Sequence, residues 1–430
     1  MIMFRRLAFF AAMFQCCITL PAQVTLEECV ALARDNYPLI RKYGLLQSLS
    51  DVSLSDIDKS WLPQISVYGQ GTTQNVVPSL PDGLTRMLGQ IGADMPGLSR
   101  QQYKVGLDLS QTVWDGGVSK SRRRVERAQN AEHRAELDVQ MYAVTERVEN
   151  IFFAILLMDE QIKQTQATAT LLESNLRRLQ AMLVNGAVMQ SDADMVEARY
   201  LSTVRQLTQA ESVAASYRRV LELFTGRGLG GQTLVRPEAS VPDAVISPDR
   251  PEMRLFDARM HTNTARESII TTTLMPRISI FAQAYYGYPG IDYFKSMTSR
   301  DPSANIVAGL RMSWSIGGLY TKRNEERRLR LSADGIASDR DVFLFNTSMQ
   351  MQAQNGDIRT LERMMKDDGR IVELNENVRR AAESQLQNGV IDATALLAKI
   401  TDENQARLTK AYHEIQLMQS IYKLKHTLNR

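Results

Sequence analysis

At 430 residues the chain is long enough for two or three ordinary domains, so burying a core poses no difficulty. Lys and Arg number 51 against 48 Asp and Glu, and this near-balance lacks the concentrated basic character that nucleic-acid binding calls for.

The opening residues read as an export signal. Arg5 and Arg6 precede an apolar stretch from Leu7 to Leu20, followed by the small-residue site Pro21-Ala22-Gln23, which predicts cleavage after Ala22. The stretch is too short for a retained membrane helix. Cys16 and Cys17 raise lipid attachment, but Phe14-Gln15 is a poor context for it. Without residues 1–22, Cys29 is the only cysteine, so no internal disulfide is expected. Removing two arginines and no acid also lowers the net charge from +3 to +1. Ile151 to Met158 is the longest obvious apolar run and stops at Asp159-Glu160, which argues against membrane helices but leaves a membrane barrel open.

A helical segment is expected from Thr25 to Lys59, with Thr25 and Glu28 resembling a capping box and Pro38 forcing a break near Tyr37. Pro63 stops it and starts a strand, Gln64 to Gln74. The next strand, Tyr103 to Val113, alternates clearly. Val105, Leu107, Leu109 and Val113 share one face; Gly106, Asp108, Ser110 and Thr112 share the other. The intervening Asn75 to Gln102 reads as a solvent loop. Trp114-Asp115-Gly116-Gly117 ends the pair. A proline-free helical pattern then runs to Asn185-Gly186, about 100 Å at 1.5 Å per residue, with heptad-like Leu172, Leu176, Leu179 and Leu183. A return helix is expected from Ser191 to Phe224, then a Gly- and Pro-rich connector.

The same order then repeats. Asn36-Tyr37-Pro38 and Trp61-Leu62-Pro63-Gln64-Ile65-Ser66 correspond to Asp249-Arg250-Pro251 and Leu274-Met275-Pro276-Arg277-Ile278-Ser279, both shifted by 213 positions (36 to 249, 61 to 274). A helix to Thr273, strands Arg277 to Tyr288 and Ile306 to Trp314, a long helix to Asn388-Gly389 carrying Ile371, Leu374, Val378 and Ala381, and a return helix from Thr394 complete the second unit. Its return stripe is Leu397, Ile400, Asn404, Leu408, Ala411, Ile415 and Met418. The expected division is 1–22 signal, 23–226 first repeat, 227–248 connector crossing at mid-height, and 249–430 second repeat.

The strands are long enough to cross a bilayer's hydrocarbon, which takes about 9–11 residues at a barrel tilt. Four strands cannot close a barrel, because closure takes at least about eight and an open edge in lipid leaves backbone groups unpaired. Several copies of the chain must supply the rest. Two copies give eight strands and three give twelve; the arithmetic does not choose.

These features resemble the TolC family of outer-membrane efflux ducts. The carriers are the strand starts at Pro63 and Pro276, the exits Asp115 to Gly117 and Gly317-Gly318, the two Asn-Gly hairpin tips, and the duplication. The resemblance implies an α+β membrane protein. Its homotrimer would form a twelve-stranded β-barrel, four strands per chain, continued by a long α-helical barrel of coiled-coil hairpins. It further implies an exit duct in a tripartite efflux or type I secretion system, conducting small molecules or peptides passively. The implied partners are outer-membrane lipid, a periplasmic adaptor (membrane fusion protein) and an inner-membrane RND or ABC transporter. Nucleic acid, cofactors, metals and catalytic residues are not expected.

In the family, the hairpin tips contact the adaptor through a V-G-L-like turn. The corresponding positions are Asn185, Gly186 and Ala187, and Asn388, Gly389 and Val390; only the glycines match. The family's Thr-Asp aperture pair falls on Ser191 and Asp192, whereas its aperture arginine and aspartates fall on Ile391, Ala395 and Ala398, which cannot do that work. Asp194 and Asp392 lie nearby. Either they give the aperture negative charge, which favours cations, or these acids cap helix N-termini.

Other features yield to blander readings. His133, His261, His413 and His426 show no ligand spacing, and the 20 methionines sit mostly singly, as gap-fillers do. Gly226 to Gly231 follows a helix and lacks the ending of a phosphate loop. Arg122 to Arg124 and Lys322-Arg323 read as a solvated helix face or as headgroup contacts, and Trp114 and Trp314 as an aromatic belt or barrel-to-helix packing. The alternative from another class is a non-porous periplasmic scaffold or adaptor of helical hairpins. Such a chain normally shows one hairpin, and this one shows two.

Overall fold

Proline and glycine cut the chain into its elements. The structure is a computed structural model that describes residues 23–92, 95, 97–229, 231–242 and 249–429; the expected signal, 1–22, lies outside these residues, as do 230 and 243–248 of the expected connector. Among the described residues helices dominate, with one four-stranded antiparallel sheet. Two compact units emerge, and each draws on both halves of the sequence.

One unit comprises Leu45–Arg134 and Phe256–Ser338. It contains most of α2 (Arg41–Lys59) and α6 (Pro251–Thr273), and the first turns of α4 (Val118–Val184) and α8 (Gly318–Gln387). Its sheet runs in the order β1 (Gln64–Thr73), β2 (Gln101–Trp114), β3 (Arg277–Tyr288), β4 (Ser303–Ser313). The strands have 10, 14, 12 and 11 residues. A bulge between Thr112 and Trp114 sets Trp114, not Val113, opposite Ile278, which corrects the expected face at the end of β2. β4 stops at Ser313, so Trp314 lies beyond it and its indole donates to the Leu274 carbonyl at 2.9 Å.

The strand exit Asp115-Gly116-Gly117 has a clear physical basis. Both glycines have positive φ, +71° and +89°, and a Cβ on Gly116 would lie 2.5 Å from Met275 Cβ. Asp115 accepts from the Gly117 and Ser119 amides at 2.8 and 2.6 Å, starting α4. The loops beyond the strands are more ordered than a solvent-loop reading allows. They hold α3 (Asp82–Gln90) and α7 (Tyr293–Thr298), and Leu98, Tyr288 and Met297 form a small core with Val77 and Leu80 against it.

The other unit is helical: α1 (Leu26–Asn36), the bulk of α4 and α8, and the return helices α5 (Gln190–Thr225) and α9 (Ala393–Leu428). Thr25 caps α1, accepting from the Glu28 amide at 3.2 Å, and a 3-10 turn at Pro38–Ile40 separates α1 from α2, as Pro38 dictates. One core gathers Val144, Val148, Phe152, Phe153 and Ile155 of α4 with Cys29, Leu221 and Ile415. The connector feeds this core with Leu229 and Leu234, and Leu234 bridges Val24. A second core joins both hairpins near their turns: Leu172, Leu176, Leu179 and Val196 with Ala382, Leu386, Leu396 and Ile400.

Candidate functional site

The tips are built twice on one plan. Gly186 and Gly389 adopt φ of +71° and +70°, the left-handed cap that ends a helix. The amide after each glycine reaches back six residues inclusive: Ala187 to the Met182 carbonyl and Val390 to the Gln385 carbonyl, both at 2.9 Å. The Asn185 and Asn388 side chains donate to the Ala181 and Ser384 carbonyls, again at 2.9 Å. The glycines and asparagines are therefore occupied in ending α4 and α8. Val184, Met189 and Val390 remain strongly exposed beside them, and Met189 was not singled out from the sequence.

The expected aperture acids sit in the first turns of the return helices. Asp392 caps α9, accepting from the Ala395 amide at 2.8 Å. Asp192 accepts from the Met189 amide at 3.1 Å, and Asp194 from the Gln190 amide group at 2.7 Å. Asp192 and Asp392 thus stabilise helix starts, whereas Asp194 bonds only a side chain of its own helix; Asp194 and Asp392 are exposed and Asp192 is half-buried. Ala193 and Ala393 are both buried, Thr394 Oγ1 meets Met195 Sδ at 3.4 Å, and Arg199 donates to Thr401 at 3.3 Å. The structure brings the starts of α5 and α9 together.

Farther along the hairpins, buried Glu403 takes Arg379 and Arg407, and Arg407 also reaches Glu376 at 2.9 Å. Buried Asp368 and His413 meet at 2.8 Å. Another polar cluster lies around α1, α4 and the end of α9. Burial pushes the Glu149 carboxyl up to about 8; Glu146 adds to the rise and Arg34 opposes it. Burial lowers the His426 imidazole, whose ring stacks on Tyr142 at 4.0 Å.

The sheet's two faces define the rest of the site. Across the strands the register aligns Val67, Leu107, Ala284 and Ile306, and next to them Ile65, Leu109, Ala282 and Ala308. The other face aligns Ser66, Asp108 and Gln283, then Tyr68, Gly106, Tyr285 and Asn305, then Gln70, Lys104 and Gly287. The apolar face is open: Val67, Leu107, Ile306 and Leu310 are 74, 49, 76 and 74 % exposed, whereas on the polar face Tyr68, Lys104, Asp108 and Tyr285 are half-buried and Ser66, Gln70 and Ser110 exposed. A sheet that turns its apolar side outward and gathers its polar side inward suits lipid on one side and water on the other.

The fold is similar to that of solved outer-membrane channels. CmeC of Campylobacter jejuni is 14% identical, with a TM-score of 0.65 over 94% of this chain and 85% of that one. VceC of Vibrio cholerae is 12% identical, with a TM-score of 0.63 over 94% and 95%. The Neisseria gonorrhoeae channel MtrE, in its open state, is 14% identical, with a TM-score of 0.61 over 94% and 88%. No curated protein matches the chain. The outer membrane efflux protein family model matches residues 33–227. The match covers a little under half of the chain, and over the rest the likeness is one of fold, that of solved outer-membrane channels.

Proposed function

We propose that three copies of this chain close their sheets into one twelve-stranded barrel, continued by a helical barrel into the periplasm. The assembly serves as the passive exit duct of a tripartite efflux or secretion system. The observation that carries this reading is the sheet's uncovered apolar face, together with its two open edges on β1 and β4. In hydrocarbon each unpaired edge group costs several kcal/mol, and neighbouring copies remove the edges by pairing β4 with β1. Exposed stripes on α8 support burial against partners within one assembly. Val342, Phe345 and Met349, then Ile371, Leu374 and Val378, follow three-four spacing on α8 without a cover in the protomer. The two halves, 23–226 and 249–430, supply quasi-equivalent walls, with 227–248 as connector.

At the far end, Asn185, Gly186, Ala187, Asn388, Gly389 and Val390 form the surface on which a periplasmic adaptor seats, delivering cargo from an inner-membrane RND or ABC pump. Ser191, Asp192, Asp194 and Asp392 give the aperture its negative charge; capping two helices does not neutralise a carboxylate. The test is fractionation followed by planar-bilayer recording. Heat-modifiable trimers in the outer-membrane fraction with discrete conductance steps are expected. Soluble periplasmic monomers would defeat the proposal.

A further inference from the structure

Three strands put one ammonium group between two phenol rings on the sheet's polar face. Lys104 Nζ lies 5.7 Å from the Tyr68 ring centroid and 5.6 Å from that of Tyr285. Its row partners are Gln70 on β1 and Gly287 on β3, so the tyrosines flank it diagonally, one on each side. The floor between them is bare backbone by necessity. A Cβ on Gly106 would fall 2.6 Å from the Ala284 carbonyl oxygen, and one on Gly287 2.6 Å from Lys104 Cα. Beside Lys104 and Tyr285 a cavity of about 260 Å³ opens, towards the loop end of the strands, lined also by Gln70, Thr72, Gln102, Tyr103 and Tyr293; Tyr68 stands outside its lining.

Lys104 is the one charged side chain in that lining. Among the described residues no carboxylate lies within ion-pair distance of its Nζ. The nearest acid along the same face of β2 is Asp108, four residues away, or about 13 Å along a strand. Ring faces attract an ammonium only weakly at such a site and leave its remaining donors open. Amide, hydroxyl and phenol groups around it add donors without competing charge.

We infer that this pocket is a binding station for small organic anions: Lys104 takes a carboxylate, sulfate or phosphate group, and the ring of Tyr285 stacks on a flat body. The inference rests on the proposed duct, because the polar face meets passing cargo only if it lines the lumen. In the closed trimer the station occurs three times, just inside the loops, at the last step before release. Asp108 sits deeper and repels the same anions, so they collect at the loop end rather than along the whole barrel.

The test is single-channel recording of the full-length trimer, with naphthalene-2-sulfonate as the probe added on the loop side. Wild type shows brief blockades that naphthalene-2-methanol, uncharged, does not produce. Lys104→Gln raises the half-blocking concentration at least about tenfold, while Lys104→Arg keeps it within about threefold. Equal blockade of wild type and Lys104→Gln overturns the inference and leaves the duct standing; absence of any conductance overturns both. A second measurement needs no variant. Acylation of Lys104 in wild-type trimers, followed by peptide mass analysis, slows in the sulfonate and not in the alcohol. Equal rates in both contradict the station.

Discussion

The two long helices, α4 and α8, occupy matching places in the two halves yet live in opposite environments. α4 buries Val144, Val148, Phe152, Phe153 and Ile155 in one core and Leu172, Leu176 and Leu179 in another. α8 buries few apolar side chains, among them Ile358, Leu361 and Leu386, and leaves Val342, Phe345, Met349, Ile371, Leu374 and Val378 exposed. Both carry apolar residues at spacings of three and four. Periodicity shows that a helix has a partner; it does not show whether that partner belongs to the same chain. In α4 the partner is internal; for α8 the partner proposed above is another copy.

The sharpest way to break this contrast is to cut into each helix. Phe152→Ala removes a fully buried ring and is expected to cost about 3–5 kcal/mol, seen as loss of folded protein by limited proteolysis. Leu374→Asp combined with Val378→Asp leaves the protomer's cores untouched. It is expected to spare the fold while abolishing heat-modifiable trimers, since each covered apolar side chain contributes about 1.5–3 kcal/mol to the interface. Loss of the protomer fold instead would place these residues in an internal core.

The charged interior of the helical unit gives a smaller effect with a definite sign. The Glu149 carboxyl is raised in the fold to about 8. A carboxyl that holds its proton in the fold but loses it in the unfolded chain at about 4.3 adds a destabilising contribution. That contribution is absent below pH about 4.3, grows as pH climbs, and is complete above about 8. The melting temperature at pH 8 is expected to lie a few degrees below that at pH 5.5, and Glu149→Gln to flatten the difference. The smallest effect is at the tips. Asp192→Ala and Asp392→Ala each remove one contact at a helix start, at about 1 kcal/mol. Equal losses in the two variants would support quasi-equivalent hairpins; bilayer recordings should also show altered conductance or cation preference.

Much of this architecture was legible because its punctuation is covalent. Pro38, Pro63 and Pro276 cannot continue a helix, and Asn185-Gly186 and Asn388-Gly389 end one, so these boundaries fall within a residue or two. Of the return stripe, Ile400, Ala411 and Ile415 are buried, and Leu397, Asn404, Leu408 and Met418 half-buried. The helices α3 and α7 were missed because short loop helices lack enough turns to show a period, and the Leu98, Tyr288 and Met297 core depends on contacts between distant loops. The bulge before Trp114 depends on how β2 meets β3, which no single strand displays. Lys104 went unremarked for the same reason. Its two tyrosines come from different strands, one of them in the other half of the chain, and only the register unites them.

The claim that these sheets are completed by neighbouring copies can be tested at the edges themselves. Val67→Cys on β1 would be paired in turn with cysteine replacements along β4, from Ala304 to Met312, in membranes under mild oxidation. Val67 and Ile306 share a row at opposite edges of one sheet, too far apart for a bond within the protomer. Closure by three copies predicts a covalent ladder ending at the trimer for at least one register. Disulfides confined to single chains, or none at any register, would contradict it.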